Sequence, residues 1–171
     1  MAADHSDIKT DIKTNIKIIP YEPNHFLQIR GVCQYFSDLH IHYGLTNPID
    51  TAKLYLRGPA YTMISDRGIV GCGGVMKLWR GVGDAWVLAT PLLKIYPKIV
   101  TKSVKFYLHE IINNMRFERV QAVVKADFEA GHRWIKRLGF HEEGMMKKYF
   151  AGIDFVRYAI ITNFNGEERE L

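Results

Sequence analysis

Apolar residues at Phe26, Ile29, Val32, Cys33 and Phe36 recur every three or four positions, which predicts a helix over residues 25–37 with Asn24 as its cap. Before it, the alternation of Ile16, Lys17 and Ile18 predicts a strand over 16–19, stopped by Pro20 and Pro23. Asn47-Pro48, with Asp50 in the first turn, predicts a second short helix running to about residue 56, where Gly58-Pro59 ends it. Three strands follow over 61–65, 69–78 and 85–90, separated by the turns Asp66-Arg67-Gly68 and Gly81-Val82-Gly83-Asp84. Val104, Tyr107, Leu108, Ile111 and Met115 form one stripe, so 101–115 reads as a helix. Val120, Ala122 and Val124 alternate in a strand over 118–125. A short helix over 130–138 ends at Gly139, and strands over 140–149 and 153–162 turn around Ala151-Gly152.

The predicted order is β-α-α-β-β-β-α-β-α-β-β. A sheet built mostly from hairpins, with helices between its later strands, makes a single α/β (α+β) domain with a mixed, mostly antiparallel twisted sheet. We place that domain over residues 15–162. Residues 1–14 form a flexible leader carrying Asp7-Ile-Lys-Thr and Asp11-Ile-Lys-Thr, a unit too short for a solenoid. Residues 163–171 form a polar tail.

Composition narrows the class. With 171 residues, 47% hydrophobic and 24% charged, the chain suits one globular domain. No apolar run approaches the roughly 18 residues of a membrane span. Met1-Ala2-Ala3-Asp4-His5 has neither the basic nor the apolar region of a secretory signal. Cys33 and Cys72 are far apart, so a cytoplasmic setting is expected. The net charge of +5 admits an anionic ligand or simply a basic surface.

Several motifs lead nowhere. His40-Ile41-His42 has no third metal ligand nearby, and His141-Glu142-Glu143 lacks the second histidine of a zincin pair, so no metal is expected. Cys72 sits in a strand without a spaced partner. Gly71, Gly73 and Gly74 precede a strand, not a helix, which excludes a dinucleotide fingerprint. Basic and aromatic residues interleave at 147–150, but no recognition helix argues for nucleic acid.

Three segments carry a resemblance. Arg67-Gly-Ile-Val-Gly-Cys-Gly-Gly-Val75, Ala85-Trp-Val-Leu-Ala-Thr-Pro91 and Ala130-Gly-His-Arg-Trp-Ile-Lys-Arg-Leu-Gly-Phe140 are similar to the corresponding segments of the GNAT acetyltransferase superfamily. The resemblance covers about residues 15–162. Trp86 to Thr90, His132 to Lys136 and Gly139 to Glu143 most resemble the GNAT-like proteins of tailed bacteriophages, including an internal virion protein family of short-tailed phages. This resemblance implies transfer of an acetyl group from acetyl-CoA, as cosubstrate, to a small-molecule or protein amine by direct attack. The alternative is a catalytically inactive phage protein that meets a virion or host partner, in the host cytoplasm or the virion.

The resemblance also assigns roles. The thioester carbonyl would take a backbone N–H from Leu88, Ala89 or Thr90. The pyrophosphate would sit at the start of the helix after that strand, where the family carries glycines. Here the segment from Lys94 to Ser103 has none. Either Lys94, Lys98 and Lys102 supply point charges beside the amides of Val100, Thr101, Lys102 and Ser103, or the loop has lost CoA and is a solvated helix start. Arg133 and Trp134 lie on the helix that packs beneath the cofactor. Ile135 stands where the family's acidic tyrosine falls, leaving Asp127 or His132 as proton donor, or an unassisted thiolate. Asp127 alternatively caps the helix, and His132 alternatively lies on the surface. Asp84 and Glu118 fall at predicted strand starts, poorly placed for a base. Asp38, His40, His42 and Tyr43 are the expected substrate contacts. The enzyme reading requires the fourth and fifth strands to splay apart.

Overall fold

The computed structural model describes residues 15–33 and 47–163. They form β1 (Lys17–Pro20), α1 (Pro23–Ile29), α2 (Pro48–Leu54), β2 (Ala60–Ser65), β3 (Gly68–Trp79), β4 (Val82–Ala89), a 3-10 turn (Pro91–Lys94), α3 (Pro97–Met115), β5 (Arg119–Lys125), α4 (Glu129–Leu138), β6 (His141–Phe150) and β7 (Ile153–Ile161). The strands make one seven-stranded sheet in the order β1-β2-β3-β4-β5-β7-β6. Every neighbouring pair is antiparallel except β4 and β5, which run parallel. This is the predicted order and class. The leader 1–14 and most of the tail lie outside the described residues.

Helix starts follow proline more closely than the apolar stripes indicate. Pro23 and Pro97 each take the first turn, so α1 is capped by Glu22 and not Asn24, and α3 begins four residues before Thr101. Proline's fixed φ is already helical and its missing N–H has no partner to lose there. The Glu22 cap is reciprocal: its backbone N–H donates to His25 Nδ1 at 3.0 Å. Asn47 caps α2 as expected, accepting from Ile49 N–H at 2.8 Å. At the far end of α4, Gly139 adopts φ 102°, the left-handed conformation that lets its N–H return to Lys136 O. Phe128, not Asp127, is the N-cap of α4, and no side chain caps it.

The two faces of the sheet are covered differently. On one, α1 and α2 bury Tyr21, Phe26 and Tyr55 against Met76, Trp86 and Leu88. On the other, α3 and α4 bury Leu108, Ile111, Ile135 and Leu138 against Val75, Val120 and Tyr158. Side chains alternate along β4, so Trp86 and Leu88 face α1 and α2 while Ala85 faces α3. Each large apolar side chain so buried contributes roughly 1.5–3 kcal/mol relative to exposure.

Candidate active site

The sheet opens at its one parallel pair. β4 and β5 are in register only at Val82 with Arg119, Gly83 with Val120 and Asp84 with Gln121. β4 then continues to Ala89 against β3, and β5 to Lys125 against β7. The gap between them is a cavity of about 640 Å³, lined by residues 84–89 and 122–125, with Val100 and Ser103 from α3 and Gly131 and Trp134 from α4. That volume suits a small-molecule or cofactor site.

Register decides which backbone groups face the gap. Thr90 N–H donates to Val70 O at 3.0 Å. Antiparallel pairs alternate, and Cys72 stands opposite Leu88, so the Leu88 amide also turns toward β3. The amides that alternate with them, at Val87 and Ala89, turn toward the gap, where β5 has already diverged. Of the three expected donors, Ala89 is the one on the open side, and Val87 joins it. Thr90 instead holds the chain in place. Its hydroxyl donates to Ile69 O at 2.9 Å and accepts from Leu92 N–H at 3.3 Å, capping the 3-10 turn.

Because α3 starts at Pro97, the amides from Val100 onward are not free. Val100 N–H donates to Tyr96 O at 2.9 Å, and Thr101, Lys102 and Ser103 lie within the helix. The first-turn amides ahead of them belong to Lys98 and Ile99. Lys94, Lys98 and Lys102 are exposed and recur every four residues along the turn and the start of α3. Trp134 Nε1 donates to Thr101 Oγ1 at 3.1 Å, tying α4 to the first turns of α3. Arg133 is exposed on α4 and does not line the cavity.

The two sequence-derived proton donors are separated. Asp127 lines the cavity. His132 does not. Its Nε2 stands 3.1 Å from Ala126 O, which only accepts, so the proton sits on Nε2. Nδ1 stands 2.8 Å from the Tyr158 hydroxyl, which itself donates to Glu142 Oε2 at 3.3 Å. Ile135 is 6% exposed and belongs to the core. Asp38, His40, His42 and Tyr43 lie outside the described residues.

Asp84, which reads from sequence as a poorly placed residue at a strand start, lines the cavity at the last paired rung, because β4 begins at Val82 and not at 85. Burial pushes its carboxyl up from 3.8 to about 6; a hydrogen bond from Gln121 and the charge of Arg157 pull it partly back. The alternation of Gly83 and Ala85 with Asp84 and Trp86 is the sequence signal that places it within a strand. Among the described residues, no group of three or more His, Cys, Asp and Glu could hold a metal ion. No described helix is long and apolar enough to cross a membrane.

No family model matches the chain, and no curated protein matches it by sequence. Solved structures do. A chimera of the spermidine N-acetyltransferase SpeG from Vibrio cholerae and hSSAT superposes with a TM-score of 0.66 at 11% identity, covering 86% of this chain and 95% of that one. A GNAT-family acetyltransferase from Bacillus anthracis superposes with a TM-score of 0.62 at 17% identity, covering 86% and 95%. At such identities the likeness is one of fold. The protein has the GNAT fold, a single α/β domain with a seven-stranded mixed sheet between helices.

Proposed function

We propose that the chain is a GNAT-type N-acyltransferase that moves an acetyl group from acetyl-CoA to an amine by direct attack. The observation that carries this reading is the parting of β4 and β5 after Asp84, with the Val87 and Ala89 amides turned into the gap. A fully paired β4 and β5 would leave no room for the cosubstrate's pantetheine arm. The similar folds of acetyltransferases support it.

The chain's own groups divide the work as follows. Ala89 and Val87 N–H groups polarise the thioester carbonyl and hold the pantetheine amides. Lys94, Lys98 and Lys102 attract the phosphates as point charges, with the Lys98 and Ile99 amides at the head of α3. Arg133 and Trp134 flank that region, Trp134 by fixing α4 to α3. Asp84 accepts the proton of the incoming ammonium, which suits a carboxyl near 6. The amine nitrogen bonds to the acetyl carbon, the carbon–sulfur bond breaks, and CoA departs as thiol after Asp127 or solvent supplies a proton. His132 would act on that step only indirectly, since both its ring nitrogens are engaged. Asp38, His40, His42 and Tyr43 are the proposed acceptor contacts outside the described residues.

A second reading is favoured by Ile135, buried where a tyrosine acid would stand, and by the glycine-free segment before α3. In it the chain is an inactive GNAT-like protein of a tailed phage, in the virion or host cytoplasm. Isothermal titration with acetyl-CoA and native mass spectrometry of freshly purified protein separate the two. Saturable binding or co-purified CoA supports the enzyme; neither at high protein concentration sinks it.

A further inference from the structure

Beside the cavity, the sheet carries charged groups on the face that α1 and α2 cover only as far as β4. Paired residues point to the same face, so Asp84 and Gln121 share it. Gln121 and Val123 of β5 lie on it two residues apart, and Arg157 of β7 stands opposite Val123. Arg119 also lies on it and makes a two-point hydrogen-bonded ion pair with Glu143 of β6, one contact being 2.7 Å. That pair neutralises itself. Among the described residues of these strands, what remains is the anion Asp84 with the cations Arg157 and Lys125, of which Lys125 lies two residues beyond Val123. Arg157 is near enough to act on the charges of both Asp84 and the paired Glu143.

Arg157 is the unusual member. It is half-buried at mid-strand, yet its Nε is a buried donor with no hydrogen-bond partner, and among the described residues its guanidinium forms no ion pair. A buried donor left unmatched is costly, and a polar partner supplied from outside the fold would relieve that cost. Opposite Arg157 on β6 stands Gly144, where an added Cβ would meet nothing within 4 Å. The neighbouring strand thus places no side chain opposite Arg157 at this rung. On the same face of β4, Trp86 Nε1 is another buried donor without a partner.

We propose that this face is the acceptor subsite, and that the acceptor is an amine carrying a carboxylate. Its ammonium meets Asp84 and its carboxylate takes the free N–H groups of Arg157. The proposal rests on the acyltransferase reading and names its substrate class. A guanidinium is suited to a planar carboxylate, which it binds at two points. It disfavours a linear polyamine, whose second ammonium would lie against Arg157 with, among the described residues, no unpaired acid on this face besides Asp84 to offset it. Spermidine is the acceptor of similar folds such as SpeG; the charge pattern here points elsewhere.

The test begins with calorimetric titration of acetyl-CoA into the full-length protein. Thiol release is then followed with the twenty amino acids, their α-amides, their decarboxylated amines and spermidine. We expect at least one amino acid to be acetylated, with kcat/KM roughly 10- to 100-fold above its own amide, the size of a lost charged contact. R157Q should erase that preference and leave acetyl-CoA affinity as it was; R157K, which keeps the charge but not the fork, should retain part of it. Preference for the amides, the amines or spermidine overturns the proposal, as does acetyl-CoA binding with no carboxylate-bearing amine accepted. Loss of acetyl-CoA affinity in R157Q and R157K also overturns it. Failure of the wild type to bind acetyl-CoA removes the acyltransferase reading itself, and this proposal with it.

Discussion

Trp134 on α4 and Thr101 on α3 share one hydrogen bond, 3.1 Å from the indole N–H to the hydroxyl oxygen. Thr101 passes its own proton to Pro97 O at 2.8 Å, so a single hydroxyl joins two helices and the first turn of one of them. Trp134→Phe keeps an aromatic ring and removes the donor. It should cost about 1 kcal/mol in urea unfolding. Thr101→Val should cost a similar amount, and the double variant should cost less than their sum. Strict additivity in that cycle would show that the bond contributes nothing.

Asp84 should reveal itself in two pH profiles. Its folded pKa, about 6, lies above the 3.8 of an exposed aspartate, so the folded state holds the proton more tightly. Its favourable contribution is full below about pH 4 and is lost as pH rises through about 6. Asp84→Asn should therefore be more stable than wild type at pH 8, by on the order of 1–3 kcal/mol, and equal to it near pH 3. In acetyl transfer the same variant should lose roughly 100- to 10,000-fold in kcat, and with it the acid limb of the rate profile. A variant as active as wild type, with an unchanged limb, assigns the base elsewhere.

The lysines before and within α3 make a separable prediction. Replacing Lys94, Lys98 and Lys102 together by Gln should raise the acetyl-CoA dissociation constant roughly 10- to 100-fold at low ionic strength, and by less at about 0.5 M salt. All three side chains are exposed, so the melting temperature should hardly move. An unchanged dissociation constant means that the phosphates sit elsewhere.

Gly139 tests the boundary between α4 and β6. Its φ of 102° is one that side chains rarely adopt, although an added Cβ would meet no atom within 4 Å. Gly139→Ala should thus destabilise by about 1 kcal/mol or more through the backbone alone. Chemical denaturation measures it, and a neutral result would place the cost outside that dihedral angle.

Most of the fold is legible in the sequence because alternation and helical stripes are local properties. The order of strands and helices follows from residues such as Val120, Ala122 and Val124, or Leu108 and Ile111, read a few positions at a time. Helix starts are less legible, because Pro23 and Pro97 override the apolar stripe that begins later. The site is the hardest to read. Whether an amide faces β3 or the gap depends on register across strands, which is not written in β4 alone. Asp84 looks like a turn residue until Val82 is known to pair with Arg119. Arg157 gains its meaning only from Gly144 and Asp84, far from it in the chain. Asp127 and Trp134, chosen from sequence, do reach the cavity; Arg133 and His132 do not line it.

The three rungs between β4 and β5 leave more than a gap. Beyond them, β4 is an outermost strand in its chemistry, although it lies in the middle of the sheet. Exposed strand edges attract whatever can extend them. An elongated, amide-bearing molecule entering the gap would hydrogen-bond there as a missing length of backbone and carry the ladder from one half of the sheet to the other. Its occupancy would then stiffen the twist between those halves, so that the protein's most complete sheet would be one that its own chain does not wholly supply.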